Sequence, residues 1–307
     1  MLPILTIMHP LVDACSMSVL AVGGMTWSRI LLYNVLAFAL QLPLGVLIDA
    51  CPRLAGRCFL FGTSLVCAAT LMTACGCGGW GVLSAVCLGN AIFHLTAGKH
   101  VLETHDGRSG PIGIFISTGA LGLLAGKVGV EHVAAACLPA FAVLLALCVV
   151  VVTTRKGWMR FVLPLRNDEA RLATRPSGGV WIVSLALAGL FALIAWRSWA
   201  GLAASRLTAA EGMALLLVSA LATWSGKAAG GYLADCLGRW PVTIASVCGS
   251  VVLAIASSPE NAVVWMLLLF VAQLATGPVL SFAYEWTDRK GGTAFGLNCL
   301  GLFAGSF

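Results

Sequence analysis

Gly45-Val-Leu-Ile-Asp49 and Gly231-Tyr-Leu-Ala-Asp235 are two copies of one pattern, Gly-x-Leu-x-Asp, whose aspartates lie 186 residues apart. A second pair repeats at an offset of 179, Leu121-Gly-Leu-Leu-Ala-Gly126 against Leu300-Gly-Leu-Phe-Ala-Gly305. One short motif of small residues recurs by chance; two pairs at near-equal offsets point to a duplication. The first pair closes the second and eighth apolar segments of the chain, and the second lies in the fifth and eleventh. Each pair is therefore six segments apart and on one side of whatever the segments cross. This predicts a duplicated six-helix unit, with parallel halves around a shared central site.

Composition says what the segments cross. Of 307 residues, 60% are hydrophobic and 10% charged, with a mean hydropathy of +0.97. A soluble domain carries about 25% charged residues, and this much apolar surface cannot be hidden inside a water-soluble fold. Soluble enzymes and soluble binding modules are excluded. One bilayer pass takes about 20 residues, so the chain holds ten or eleven passes and no large soluble domain. The segments are about 3–23, 28–49, 58–75, 80–98, 110–130, 132–154, 179–200, 209–233, 241–257, 261–284 and 293–307. They are too long, and do not alternate, for β-barrel strands. The fold class is all-α and polytopic, as two six-helix bundles: residues 1–154, a cytoplasmic linker 155–178, and an incomplete second bundle 179–307. The eleventh segment stops where its counterpart reaches Gly129, so one to two final helices are expected to be missing.

With the N-terminus in the cytoplasm, 14 of the 18 basic residues fall on the cytoplasmic side, Arg53, Lys99, Arg155, Lys227, Arg239 and Arg289 among them. That is the positive-inside pattern. The net charge of +6 is read as loop charge facing anionic lipid, with no nucleic-acid partner. The N-terminus lacks a basic region and a cleavage site and reads as a retained first span. In the linker, Trp158, Met159, Phe161, Val162 and Leu163 have the pattern of a short surface helix. The twelve cysteines lie in apolar runs and behave as small hydrophobes.

The run Lys227-Ala-Ala-Gly-Gly-Tyr-Leu-Ala-Asp-Cys-Leu-Gly-Arg-Trp-Pro241 resembles the loop signature of the major facilitator superfamily, Gly-x-Leu-x-Asp-x-x-Gly-Arg, at Gly231, Leu233, Asp235, Gly238 and Arg239. The first copy matches at Gly45, Leu47 and Asp49, with its Gly-Arg pair displaced to Gly56-Arg57. Three patches are similar to the fosmidomycin-resistance group of exporters: His9-Pro-Leu-Val-Asp13; Phe93-His94 through Gly113-Ile-Phe115 to Gly119-Ala-Leu-Gly122; and Trp196-Arg-Ser-Trp199. One serine and one glycine of that group's pattern are absent. The resemblance implies a proton-coupled transporter, with export of a drug or metabolite as one form of it. Its loop motif, Gly45, Asp49, Gly231, Asp235, Gly238 and Arg239, would latch one conformation of two rocking halves.

Ionisable groups inside lipid are costly and mark a pathway. Asp13 lies near mid-span, His9 one turn before it on the same face, and His94 at a similar depth in the fourth segment. These three are the candidate proton-coupling residues. Arg197, toward the outer part of the seventh segment, is the candidate partner for an anionic substrate group. Asn34, Asn90 and Gln273 are further substrate-binding candidates, Gln41 and Asn298 other polar cavity residues, and Tyr33 and Trp224 aromatic ones. Pro43, Pro139 and Pro278 are possible kinks. No hydrolase, metalloprotease or nucleotide-binding motif is present. His94, His100 and His105 do not stack on one helical face, so no metal and no cofactor is expected.

The resulting expectation is a monomeric secondary transporter of the inner or plasma membrane, not an enzyme, with lipid, protons and a small molecule as partners. It exports a small drug or metabolite, anionic if Arg197 engages it, by alternating access. Uptake by the same fold and a non-transporting fragment are the alternatives.

Overall fold

A backbone surrounded by hydrocarbon must satisfy its own amides, and a helix does so within one segment. The structure, a computed structural model, describes residues 1–155, 158, 180–209, 212–257 and 261–306, without the side chains of 134, 135, 180 and 204–209. Every regular element among the described residues is helical. Ten are long and apolar enough to cross a bilayer: α1 Leu2–Val22, α2 Trp27–Ala50, α3 Pro52–Ala74, α4 Trp80–Thr104, α5 Ser109–Val133, α6 Ala136–Thr154, α7 Trp181–Ala203, α8 Met213–Leu237, α9 Arg239–Ala256 and α10 Ala262–Trp286. A shorter apolar helix, α11, covers Gly291–Ala304. The chain is a multi-pass membrane protein. Of the surface helix expected in the linker, all but Trp158 lies outside the described residues; that ring sits 6.1 Å from Phe59.

Within the first half α1 packs along α5 and α6, and α3 along α4. Within the second, α8 and α9 pack on α10, and α7 on α11. The halves meet along two seams, α2 with α11 and the first turns of α5 with α8. Both seams are made of glycine. A Cβ on Gly231 would fall 2.5 Å from the Ser109 carbonyl oxygen, and one on Gly113 2.8 Å from that of Lys227. Gly45 lies equally tightly on Gly292. Lipid gives helices no hydrophobic drive to associate, so backbone-to-backbone approach of this kind supplies the contact.

Two spans are interrupted beside a proline, and a third proline frees a carbonyl in a continuous helix. A proline within a helix cannot donate to the carbonyl four residues back. For Pro43 that is Ala39, where α2 loosens into a π-helical stretch, Val35–Ala39. Gln41 there donates to the Ala37 carbonyl at 2.6 Å. For Pro278 it is Leu274, where α10 is interrupted. Ser246 closes that gap, accepting from the Ala275 amide (3.2 Å) and donating to the Val271 carbonyl (2.6 Å). For Pro10 it is Thr6, whose carbonyl accepts from the Thr118 hydroxyl at 3.1 Å. The turn between α5 and α6 falls at Val133, with non-helical φ −146° and ψ 43°.

Two lysines counted with the loops from sequence lie inside helices. Lys99 is in α4 and Lys227 in α8. The flanking Ala-Ala-Gly-Gly of Lys227 reads as a turn in a linear sequence, but the small residues serve the seam with α5.

Candidate functional site

Pro10 leaves one carbonyl of α1 free, and α5 is interrupted at Thr118. The two irregularities face each other. Thr118 donates to Thr6, and His9 Nδ1 lies 2.8 Å from the Phe115 carbonyl oxygen. The His9 ring also stacks on Phe115 at 4.8 Å and meets His94 edge-on at 4.5 Å. On α4, His94 Nδ1 lies 2.9 Å from the carbonyl of Asn90, one turn back.

These contacts fix which nitrogen of each ring carries a hydrogen. A carbonyl only accepts, so each Nδ1 carries the hydrogen, and in a neutral imidazole each Nε2 is then a bare lone pair. Both Nε2 atoms point at the same carboxylate. His9 Nε2 is 3.5 Å from Asp13 Oδ2, and His94 Nε2 3.4 Å from Oδ1. Asn90 Nδ2 donates to Asp13 Oδ1 (3.2 Å) and to Ser16 Oγ (3.0 Å). All three residues are buried. Acceptors facing acceptors in a low-dielectric interior repel until a cation lies between them. A proton on either ring turns the repulsion into a charge-assisted hydrogen bond. The donor atoms lie within 4.8 Å of one another, near enough to share a single cation.

Across the halves, α8 brings Lys227 within electrostatic range of Asp13 and of Arg197. Lys227 is half-buried and makes no ion pair or hydrogen bond among the described residues. Arg197 is 3% exposed. Its Nη2 donates to Asn298 Oδ1 at 3.2 Å, while Nε and Nη1 are buried with no partner among the described residues. The second half thus contributes two cations, of which Lys227 is within range of the Asp13 carboxylate. Sequence singled out Arg197 and Asn298 but missed Lys227; its place inside the apolar segment 209–233 was the available signal.

The other candidates disperse. Asn90 belongs with Asp13 and not with Arg197. Gln273 accepts from Thr276 at 3.1 Å, and Asn34 donates to Ser306 at 3.4 Å. Neither contacts Arg197. Tyr33 is buried, but Trp224 lines an apolar groove of about 660 Å³ with Leu221, Met266 and Phe270, away from the charged centre. His100 and His105 take no part in the His9–Asp13–His94 group.

Of the loop-motif residues, Gly45, Asp49, Gly231 and Asp235 sit where the halves meet, while Gly238 and Arg239 make their contacts within the second half. Asp49 accepts from the Gly292 and Thr293 amides (3.0 and 2.6 Å) and the Thr293 hydroxyl (2.8 Å), at the start of α11. Lys99 lies 2.7 Å from it and also pairs with Glu103. Asp235 accepts from the Ser109 and Gly110 amides (2.9 and 3.1 Å), at the start of α5. Each aspartate therefore neutralises the positive end of a helix in the opposite half. Gly238 turns the chain with φ +96°. Arg239 pairs with Glu285 at 2.7 Å and lies over the Phe282 ring.

No family model matches the chain, and no curated protein matches it. Solved structures do. A single-residue variant of the E. coli fucose:proton symporter FucP aligns over 98% of this chain and 88% of its own, at 11% identity and a TM-score of 0.61. FucP in the outward conformation, described as a Major Facilitator Superfamily transporter, aligns over 99% and 89% at 13% identity and 0.58. A bacterial homologue of the iron transporter ferroportin, in its outward-facing state, aligns over 99% and 89% at 16% identity and 0.54. At such identities the likeness is one of architecture, and with the paired glycine seams and exchanged aspartate caps it gives the chain the major facilitator fold.

Proposed function

We propose that the chain is a proton-coupled secondary transporter that carries a small anion by alternating access. The observation that supports this reading is the charge arrangement at the centre. One half holds a proton-accepting cluster, Asp13 with His9 and His94, and the other a guanidinium whose Nε and Nη1 are buried without partners among the described residues. Buried donors left unbonded cost about 1–3 kcal/mol each, and an anionic cargo group on Arg197 and Lys227 removes that cost. The aspartate caps at Asp49 and Asp235 hold the halves together at one end while the cargo site is loaded, and rocking requires both to break. The bias of basic residues toward the linker and the loops on one side supports an N-terminus and both caps on the cytoplasmic face of a cell or inner membrane. Export against an inward proton flow is the direction implied by the resemblance to the resistance exporters, and it requires cargo and proton to exclude one another.

The test is transport into proteoliposomes with labelled sulfate as trial anion. Arg197→Gln is expected to abolish movement. Asp13→Asn is expected to abolish accumulation driven by a pH gradient while leaving exchange of sulfate for sulfate. Accumulation by Asp13→Asn at the level of the unaltered chain would remove Asp13 from coupling.

A further inference from the structure

In sequence, His94 stands beside His100 and His105, which share its helix but do not stack on its face. The fold places it instead against His9 of α1, with ring centroids 4.5 Å apart and Asp13 beside both. We propose that His9, Asp13 and His94 bind one divalent transition ion, and that zinc is the ion the donor set fits. The site stands on the geometry of α1, α4 and α5 and draws nothing from the anion reading.

A metal-binding imidazole needs one nitrogen free and the other held. Both rings meet that condition. Nδ1 of His9 is tied to the Phe115 carbonyl at 2.8 Å, and Nδ1 of His94 to that of Asn90 at 2.9 Å. Both Nε2 lone pairs are thereby aimed at Asp13. The carboxylate is oriented in turn by the side-chain amide of Asn90, at 3.2 Å. His9 and Asp13 are four residues apart on one helix, the spacing by which a helix presents two ligands to one ion.

The distances fit an ion better than a proton. A proton shared by imidazole and carboxylate draws nitrogen and oxygen to about 2.7–2.9 Å. Zinc holds nitrogen and oxygen at about 2.0–2.1 Å, so two ligands on a tetrahedral ion lie about 3.3–3.4 Å apart. The two nitrogen-to-oxygen distances are 3.5 and 3.4 Å, and the three residues offer donor atoms all within 4.8 Å of one another. The two nitrogens close the rest of the way by side-chain rotation. Two imidazoles and a carboxylate suit zinc, cobalt and nickel, whereas calcium and magnesium take shells of oxygen. Charge points the same way: among the described residues no lysine or arginine pairs with the buried Asp13. All three ligands belong to one half, so rocking of the halves makes and breaks no metal bond. An ion held equally in both conformations shifts neither. Its effect on transport rests on the coupling role proposed above: zinc in the cluster leaves no lone pair for the proton.

The experiment uses the purified full chain in lipid nanodiscs, with accessible thiols first alkylated. Exposed Cys51, Cys75, Cys77, Cys236 and Cys248 would otherwise take zinc themselves, and the cluster contains no thiol. Calorimetric titration with zinc chloride is expected to show one ion bound per chain, undisturbed by excess magnesium or calcium. Asp13→Asn and His94→Gln are each expected to weaken binding by at least the roughly 10- to 100-fold that loss of an outer partner of a metal ligand costs. His105→Gln, outside the cluster, is expected to leave it unchanged. Cobalt in place of zinc is expected to give the intense visible bands of a four-coordinate ion without a near-ultraviolet thiolate band. That spectrum needs no variant, so a misfolded mutant does not decide the outcome. No zinc binding after alkylation, binding that survives both substitutions, or a cobalt spectrum of thiolate ligation overturns the site. None of these outcomes touches the anion site, which Arg197→Gln tests with sulfate.

Discussion

The Asp235 carboxylate lies 2.9 Å from the amide of Ser109, a residue of the other half, and so caps a helix it does not belong to. Asp49 does the same for α11. The reciprocity follows from duplication: an aspartate ending one helix in each half finds the amide-rich start of a helix in its twin. Replacing a capping carboxylate by alanine costs about 0.5–2 kcal/mol. Asp235→Ala is expected to shift the balance of conformations by about that much, toward opening at this end. Labelling of Ser281→Cys, a near-isosteric change at the buried contact with Ser109 across the halves, would report it; unchanged labelling would mean the caps do not hold the halves. Asp49→Ala is expected to shift further, because it also strands the buried Lys99.

The glycine seams make a second, steric prediction. A methyl at position 231 would sit 2.5 Å from Ser109 O and 3.1 Å from Gly113 Cα, both backbone atoms. Neither can yield without moving a helix. Gly231→Ala is expected to separate α5 from α8 and to abolish transport while the protein still inserts and folds. Gly78, with nothing within 4 Å of an added Cβ, serves as the control; Gly78→Ala is expected to behave as the unaltered chain. Equal activity in both variants would show that the seam tolerates a side chain.

The spans, the duplication and the charges at mid-membrane were legible in the sequence because each rests on composition or on a period that local residues carry. His9 and Asp13 share a face by helix geometry alone. What was not legible depends on which helix faces which. Lys227 looked like loop because Ala-Ala-Gly-Gly beside it serves equally for turns and for close packing. Asn90 looked like a cargo ligand because nothing local says that Asp13 sits across from it. The role of Thr118 was hidden entirely: it answers a carbonyl freed by a proline more than a hundred residues away.

Arg197 gives a prediction in which stability and function part company. A buried cation with two unbonded nitrogens weakens the empty protein, and a buried ion replaced by a neutral side chain is often neutral or stabilising. Arg197→Gln, which keeps a donor near Asn298, is therefore expected to raise thermal stability by the equivalent of about 1–3 kcal/mol while removing anion binding. Melting in lipid, with and without sulfate, checks both at once. The unaltered chain should gain stability on adding sulfate and the variant should not. A variant that melts lower than the unaltered chain would mean that Arg197 is structurally paired and not waiting for cargo.

The hydroxyl of Thr118 and the ring of Pro10 are coupled through one carbonyl, which makes the coupling measurable. Thr118 donates to Thr6 O, and that oxygen is open only because residue 10 has no amide hydrogen. Removing the hydroxyl by Thr118→Val leaves a buried carbonyl unbonded and is expected to cost about 1–3 kcal/mol. In a Pro10→Ala background the amide of residue 10 closes the helix on Thr6, and the same Thr118→Val change should cost far less. The difference between the two costs is the interaction energy of the pair. Thermal or denaturant unfolding of the four proteins gives it directly. Pro10→Ala is also expected to weaken proton coupling, since a straightened α1 no longer leans on the break in α5 where Phe115 O holds His9 Nδ1. If Thr118→Val costs the same in both backgrounds, the two irregularities are independent, and the orientation of His9 must be set by its stacking on Phe115 and His94 instead.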